Sequence, residues 1–339
     1  MAIANAQKRA PSLIAGMGLL SLTSLIFACL IGSVSLSLPE LGQALVDLAR
    51  GQTSSLASSV LDLRLSRALS GFVTGASLAL AGVLMQALLR NPLADPYVLG
   101  LSGGASVGAL VTILFFGLGI WVDVAAFGGA TAVALLLFML AYRDLRGSGS
   151  SEGSAPLLLL TGVIVAAGCG AVVTLLLSIA PDSSLRGMVF WMIGDLSNTQ
   201  PRYLSWVILV VLLAVVMKHA RAINVAAMHA DNAASLGIQI GRLRQLLFIS
   251  AALLTASAVS AAGSIGFVGL IIPHACRFAL GPDHRLLIPV ASLAGGSFLV
   301  IADALARTVV APHQLPVGVI TALIGVPVFL MQLHQLRRP

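Results

Sequence analysis

The stretch A-L-S-G-F-V-T-G-A-S-L-A-L-A-G-V-L-M-Q-A-L-L, residues 68–89, runs for 22 positions without an ionisable side chain. An α-helix rises about 1.5 Å per residue, so a run of this length crosses the roughly 30 Å hydrocarbon core of a bilayer. Uncharged apolar stretches of the same kind recur near 11–34, 97–120, 124–142, 156–180, 203–217, 245–263, 286–302 and 314–333. A shorter one, near 264–276, carries Gly266, Gly269 and Pro273 and reads as a broken or tilted helix. Together they predict an all-α polytopic membrane protein with ten transmembrane helices. The runs are continuous, without the alternation of apolar and polar positions that a β-barrel strand needs.

Composition points the same way. Of 339 residues, 58% are hydrophobic and 9% are charged, against roughly 25% charged in an average soluble domain. Mean hydropathy is +1.02. So few charges cannot clothe a folded sphere of this size, which excludes a soluble enzyme, a nucleic-acid binder and a disordered protein. The first apolar run follows Lys8 and Arg9 but is too long for a secretory h-region, and no small-residue cleavage site with a polar mature domain follows it. It reads as a retained span, and residues 1–339 as a single membrane domain.

The charges that remain are lopsided: 19 Lys+Arg against 12 Asp+Glu, a net +7. In a membrane protein such an excess reflects topology, because cytoplasmic loops collect Lys and Arg. With the N-terminus inside and ten alternating spans, thirteen of the basic residues fall inside. The six outside are Arg50, Arg64, Arg67, Arg186, Arg202 and Arg307. The split predicts N-in and C-in. Cys29, Cys169 and Cys276 lie far apart in apolar surroundings, as small core residues do, without metal-site or disulfide spacing.

Sliding the chain by 181 positions aligns residues 71–100 with 252–281, with eight identities that include Gly82 on Gly263, Pro92 on Pro273 and Gly100 on Gly281. The two copies begin five spans apart, hence in opposite orientation. Inverted-topology repeats are typical of transporters.

None of the ten apolar cores contains Asp, Glu, Lys or Arg. Intramembrane charges mark proton relays, so their absence argues against a proton-coupled carrier, while Na+ coupling through backbone carbonyls stays open. The chain also lacks a phosphate-cradling G-x-x-x-x-G-K-[ST] loop, since Lys8 and Lys218 are its only lysines. A driven transporter of this sequence takes its energy from another subunit. The alternative class is a secondary carrier or channel acting alone. An intramembrane enzyme ranks third: the six histidines fall near helix ends or loops without an H-E-x-x-H pair.

Between the sixth and seventh spans lies R-A-I-N-V-A-A-M-H-A-D-N-A-A-S-L-G-I, Arg221 to Ile238. It is too polar to span and long enough for a short helix around Met228–Leu236 with Gly237 as C-cap. From the residues alone it is equally a docking surface for a partner or a plain connection.

The chain from Arg64 to Ala105, R-L-S-R-A-L-S-G-F-V-T-G through N-P-L-A-D-P-Y-V-L-G-L-S-G-G-A, resembles FecCD-type permease subunits of bacterial ABC importers for iron-siderophores, haem or cobalamin. Further matching motifs are G-S-I-G-F-V-G-L-I-I-P-H-A-C-R (Gly263–Arg277), D-H-R-L-L-I-P (Asp283–Pro289) and L-P-V-G-V-I-T-A-L-I-G-V-P-V-F (Leu315–Phe329). The likeness extends from about residue 35 to the end. It implies a subunit of the inner membrane working as a homodimer, with two ATP-binding cassette subunits beneath and a periplasmic substrate-binding protein above. It implies no cofactor and no metal site, because a chelated metal passes through without being stripped. An iron chelate is the expected cargo, with cobalamin the alternative.

The resemblance also gives roles to particular residues. Arg64, Arg67 and Arg307 match the periplasmic arginines that receive carboxylates of the binding protein; as residues alone they read rather as helix-end arginines snorkelling to water. Asn91 and Leu93, in the loop Asn91–Pro96, match the cytoplasmic gate; the plain reading of that loop is a rigid turn. Residues 225–238 match the element seated in the ATPase, with Met228, His229, Asp231, Ala234, Leu236 and Gly237 as its contacts. The fifth and tenth spans are implied to line the pathway, with Gly162, Ala166, Gly170 and Thr174 forming a smooth wall; helix packing explains the same spacing. Gly71 and Gly75, and Gly100, Gly104 and Gly108, are expected to serve packing within the subunit.

Overall fold

A computed structural model describes residues 2–32, 34, 37–51, 53, 55–142, 145, 154–197, 202–228, 236–311 and 313–336. These form α1 (Ala2–Leu30), α2 (Leu38–Ala49), α3 (Leu56–Leu89), a 3-10 turn (Pro96–Leu99), α4 (Leu101–Phe116), α5 (Ile120–Leu140) and α6 (Ser154–Ile179). There follow α7 (Asp182–Ile193), α8 (Tyr203–Met228), α9 (Ile240–Ala262), α10 (Val268–Leu280), α11 (His284–Thr308) and α12 (Val317–Leu336). Among the described residues there is no strand.

Seven of the described helices are long and apolar enough to cross a membrane: α1 from Pro11 onward, α3, α5, α6, α8, α9 and α11. The apolar helices α4, α10 and α12 are shorter and coincide with three further predicted spans. Two helices were not anticipated. The first, α2, opens on Ser37, whose hydroxyl and N–H both donate to the Glu40 carboxylate, at 2.6 and 2.7 Å, and hold that carboxyl below its ordinary range. The second, α7, carries Arg186 over the Phe190 ring at 5.4 Å.

Helix α3 starts where Ser55 accepts from the Ser58 N–H at 3.1 Å and continues to Leu89. It is the central rod of the fold, packed on α9, α10 and α11. Two close approaches decide that packing. A Cβ on Gly75 would lie 2.2 Å from the Gly295 carbonyl oxygen, and one on Gly82 would lie 1.9 Å from that of Gly269. Only glycine permits backbones to meet so closely, and lipid offers no hydrophobic force to bring helices together without such contact. The same logic joins α4 to α5, where Gly104 faces Gly129 and Gly108 faces Ala125. These glycines thus pack within the subunit, as the spacing predicted.

Local structure follows the internal repeat over only part of its length. Residues 71–81 and 252–262 are both helical, with Thr74 and Thr255 buried in each copy, but Gly82 is mid-helix whereas Gly263 caps α9, and Pro92 lies in a turn whereas Pro273 lies inside α10. Gly100 and Gly281 both have positive φ, 78° and 87°, with different ψ, 7° and −179°. Alanine- and leucine-rich helices match by composition, and the geometry of the ends sets the frame.

Helices α6 and α12 keep long exposed apolar faces, including Leu160, Ile164 and Leu175 on the first and Leu323, Leu330 and Met331 on the second. The described part of α1 is likewise largely uncovered, as a helix at the lipid boundary is.

Candidate functional site

Helix α11 carries a polar cluster at each end. The 19 residue steps from His284 to Asp303 place these clusters roughly 30 Å apart along the axis.

At the C-terminal end stands Asp303, 1% exposed. Arg67 of α3 binds it side-on: Nε lies 3.0 Å from both carboxylate oxygens and Nη2 lies 2.8 Å from Oδ1. Arg307, one turn further along α11, places its Nε 3.1 Å from Oδ2 and donates through Nη2 to the Ala28 carbonyl at 3.2 Å. Arg67 also reaches the exposed Gln314 at 2.9 Å. Arg64 has no carboxylate among these contacts. Its guanidinium caps the C-terminal end of α1, donating to the carbonyls of Cys29 (3.0 Å), Leu30 (3.2 Å) and Val34. Carbonyls at a helix C-terminus lack intrahelical partners and carry partial negative charge, so an arginine suits them. A Cβ on Gly32 would lie 2.6 Å from Arg64 Nη2, so glycine there makes room for the guanidinium.

All three predicted arginines are therefore brought together, each at most 7% exposed. Two of these cations, Arg67 and Arg307, share one carboxylate, and Arg64 beside them brings the net charge of the cluster to +2. Asp303 escaped notice because it sits one position past the predicted core at 286–302; its i,i+4 spacing to Arg307 was the available signal.

The loop after α3 is built from local hydrogen bonds. Asn91 Oδ1 accepts from the Leu93 N–H at 2.9 Å, and the Asn91 carbonyl accepts from Ala94 at 3.1 Å. Asp95 caps the 3-10 turn by accepting from the Tyr97 N–H at 2.7 Å. The backbone of Pro92 lies beside the His274 ring of α10. Burial raises the Asp95 carboxyl to about 6, against the opposing pull of the Tyr97 N–H. Burial and the adjacent Asp95 charge also push the Tyr97 phenol upward, while its oxygen accepts from the Ile265 N–H at 3.2 Å. Asn91 is half-buried and Leu93 exposed.

Entry to this loop is strained. Arg90 adopts the left-handed conformation, φ 49° and ψ 34°, which costs a residue with a Cβ roughly 1–2 kcal/mol. Its side chain donates to the Ala226 carbonyl in the last turn of α8 at 3.1 Å. Two residues earlier on α8, Asn224 donates to Asp283 at 2.7 Å and accepts from the His284 N–H at 2.8 Å; the His284 Nδ1 lies 2.7 Å away. Neither Arg90 nor Asn224 was singled out from sequence, because their partners lie 136 and 59 or 60 positions away.

Of the segment predicted to seat in an ATPase, Met228 ends α8, and Leu236 and Gly237 form an exposed turn with Gly237 at φ 78°. His229, Asp231 and Ala234 lie outside the described residues, as does the Met228 side chain. The stripe on α6 divides. Gly162 is covered by Leu99, whose Cα would lie 2.8 Å from an added Cβ, and Ala166 packs on Gly100; Gly170 and Thr174 are exposed.

The FecCD transport family matches residues 19–335. The cobalamin import system permease protein BtuC of Halobacterium salinarum is 41% identical over 277 residues, 80% of this chain and 72% of that protein. The hemin transport system permease protein HmuU of Yersinia pestis is 38% identical over 283 residues, 80% and 81% of the two chains. The uncharacterized ABC transporter permease protein YvrB of Bacillus subtilis is 39% identical over 285 residues, 82% and 79%. A solved inward-facing ABC transporter assigned to the metal-chelate type superposes with a TM-score of 0.82 at 29% identity, covering 96% of this chain and 99% of its own. With family, relatives and helical frame in agreement, the chain belongs to the FecCD transport family and is a multi-pass ABC-transporter permease of the inner membrane.

Proposed function

We propose that this chain is the membrane subunit of an ATP-driven importer that carries an iron chelate, either a siderophore complex or haem, from periplasm to cytoplasm. Cobalamin is an equally supported cargo, because relatives named for cobalamin and for hemin are alike in identity, 41% and 38%. In this reading one permease unit, residues 1–339, crosses the membrane ten times, N-in and C-in, with its two halves related by inverted topology. Two copies enclose the pathway, two ATP-binding subunits sit beneath them and a binding protein docks above. ATP hydrolysis belongs to the separate subunit, since the chain has no phosphate-binding loop of its own.

The family match across residues 19–335 carries this reading. Several features support its parts. The uncovered apolar faces of α6 and α12 suit a second copy, with Gly170 and Thr174 on the open part of α6 facing the passage and Gly162 and Ala166 supporting it from behind. The +2 cluster of Arg64, Arg67 and Arg307 suits carboxylates of a binding protein, steering the encounter and fixing register. Asn91 and Leu93 form the gate at the inner end. Met228, His229, Asp231, Ala234, Leu236 and Gly237 form the ATPase contact, the apolar side chains filling a cleft and the polar ones setting register.

Copurification of an ATP-binding subunit, together with vanadate-sensitive uptake, tests the importer reading; uptake without such a subunit would support a stand-alone carrier. The cargo is decided by the ligand that the partner binding protein retains, assayed with ferric siderophores, haem and cyanocobalamin.

A further inference from the structure

The last turn of α8 is tied to two other parts of the fold, and it leads directly into the segment 229–235. One tie runs to α11. Asn224 uses both ends of its amide: Nδ2 donates to Asp283 Oδ1 at 2.7 Å, and Oδ1 accepts from the His284 N–H at 2.8 Å and faces His284 Nδ1 at 2.7 Å. Asp283 is itself the N-cap of α11, accepting from the Arg285 N–H at 3.0 Å. The second tie runs to α3. The Ala226 carbonyl, in the last described turn of α8, accepts from Arg90 Nη2 at 3.1 Å. Arg90 immediately precedes Asn91 and holds a left-handed backbone that glycine would adopt without cost.

We propose that Asn224 and Arg90 are positioning residues that carry movement of the last described turn of α8 into the loop Asn91–Pro96 and into α11. The inference rests on the importer reading and deepens it, naming the side chains through which an ATPase would act on the gate. The argument is one of connectivity. A shift of the α8 end must either drag these two partners or break their bonds. Asn224 is bonded to three groups at the start of α11, a helix whose far end holds Asp303 and Arg307. Arg90 is covalently continuous with the gate loop, so any pull on its guanidinium acts on a backbone that is already strained. A C-terminal cap needs only a donor. The expenditure of an arginine in a glycine conformation is explained by a link that glycine could not make.

The test uses the whole complex, permease with its ATP-binding subunits, in lipid nanodiscs. Spin labels on Leu93→Cys, with Cys29, Cys169 and Cys276 changed to Ala, report the separation across the two gates before and after vanadate trapping. Arg90→Gly removes the guanidinium and relieves the backbone, so this variant keeps its fold even where Asn224→Ala does not. In both variants the ATP-binding subunit stays bound and ATP hydrolysis continues, while the population showing the trapped label separation drops about tenfold relative to wild type. Arg90→Lys, which retains a cationic donor, restores much of it. A wild-type response in Arg90→Gly, or loss of the ATP-binding subunit from it, overturns the proposal and leaves the importer reading intact. A wild-type complex with no vanadate response overturns the importer reading, and the proposal with it.

Discussion

Replacing Asp303 with Asn keeps the volume of the side chain and removes the one carboxylate shared by two buried arginines. In the wild type, Asp303 takes three short contacts from Arg67, at 3.0, 3.0 and 2.8 Å, and one from Arg307 at 3.1 Å. With Asp303 only 1% exposed, water cannot take its place. Removing one partner of such a buried pair costs about 3–5 kcal/mol, most of it the penalty of leaving the other charge uncompensated. The contacts are not additive, so Asp303→Asn is expected to fall within that range despite having two cationic partners. Reversible SDS denaturation in mixed micelles measures the loss. Docking of the binding protein is expected to move the opposite way, because the cluster rises from +2 to +3 and both arginines are released toward an incoming carboxylate. Arg67→Met and Arg307→Met combined with Asp303→Leu remove the carboxylate together with both of its cations and are expected to recover most of the stability. A loss below about 1 kcal/mol for Asp303→Asn, the size of an exposed pair, would refute the reasoning by showing that water reaches the cluster.

Three further outcomes are expected. Asp95 titrates near 6 because it is buried, so its native form holds a proton more tightly than the unfolded chain does. Its contribution is present below pH ~4 and lost as pH rises through about 6; wild type should therefore gain stability from pH 7 to pH 5, and Asp95→Asn, which keeps the cap, should lose that slope. Thermal melts across that window check it. Gly82→Ala would place a Cβ 1.9 Å from the Gly269 carbonyl oxygen and is expected to cost at least about 1–3 kcal/mol, while Gly168→Ala, with nothing within 4 Å, stays within roughly 0.5 kcal/mol in the same denaturation assay. Binding-protein docking should weaken as salt is raised, since the arginine cluster carries excess positive charge; affinity unchanged over that titration would remove Arg64, Arg67 and Arg307 from the docking surface.

The structure changes how those arginines should be probed. Arg64→Glu would set a carboxylate against the carbonyl ends of α1, and Arg67→Glu would set one against Asp303. Either reversal would break the fold before docking could be measured. By charge pattern Arg64, Arg67 and Arg307 are exceptions to the inside bias of positive charge, and only the family resemblance gives them a role. Nothing local showed that Arg67 meets a carboxylate 236 positions away. The short helices α2 and α7 were missed for a related reason. Each is only 12 residues long, below the length at which a hydropathy window detects a span.

Hydropathy is a property of neighbouring residues, so the amino-acid sequence alone determined that the chain lives in a bilayer and roughly where its helices lie. Ordered Gly, Pro and charged motifs, equally local, carried the family. What only the tertiary structure decided was which side chains meet. The C-terminal ends of α3 and α8 meet the N-terminal end of α11, so that α8 is held by Arg90 through the Ala226 carbonyl and by Asp283 and His284 through Asn224, and at the other end of α11 two arginines close over one aspartate. Those pairings depend on helix–helix approach to within a missing Cβ at Gly75 and Gly82. A single-chain pattern cannot contain that distance, because it arises only when distant backbones pack.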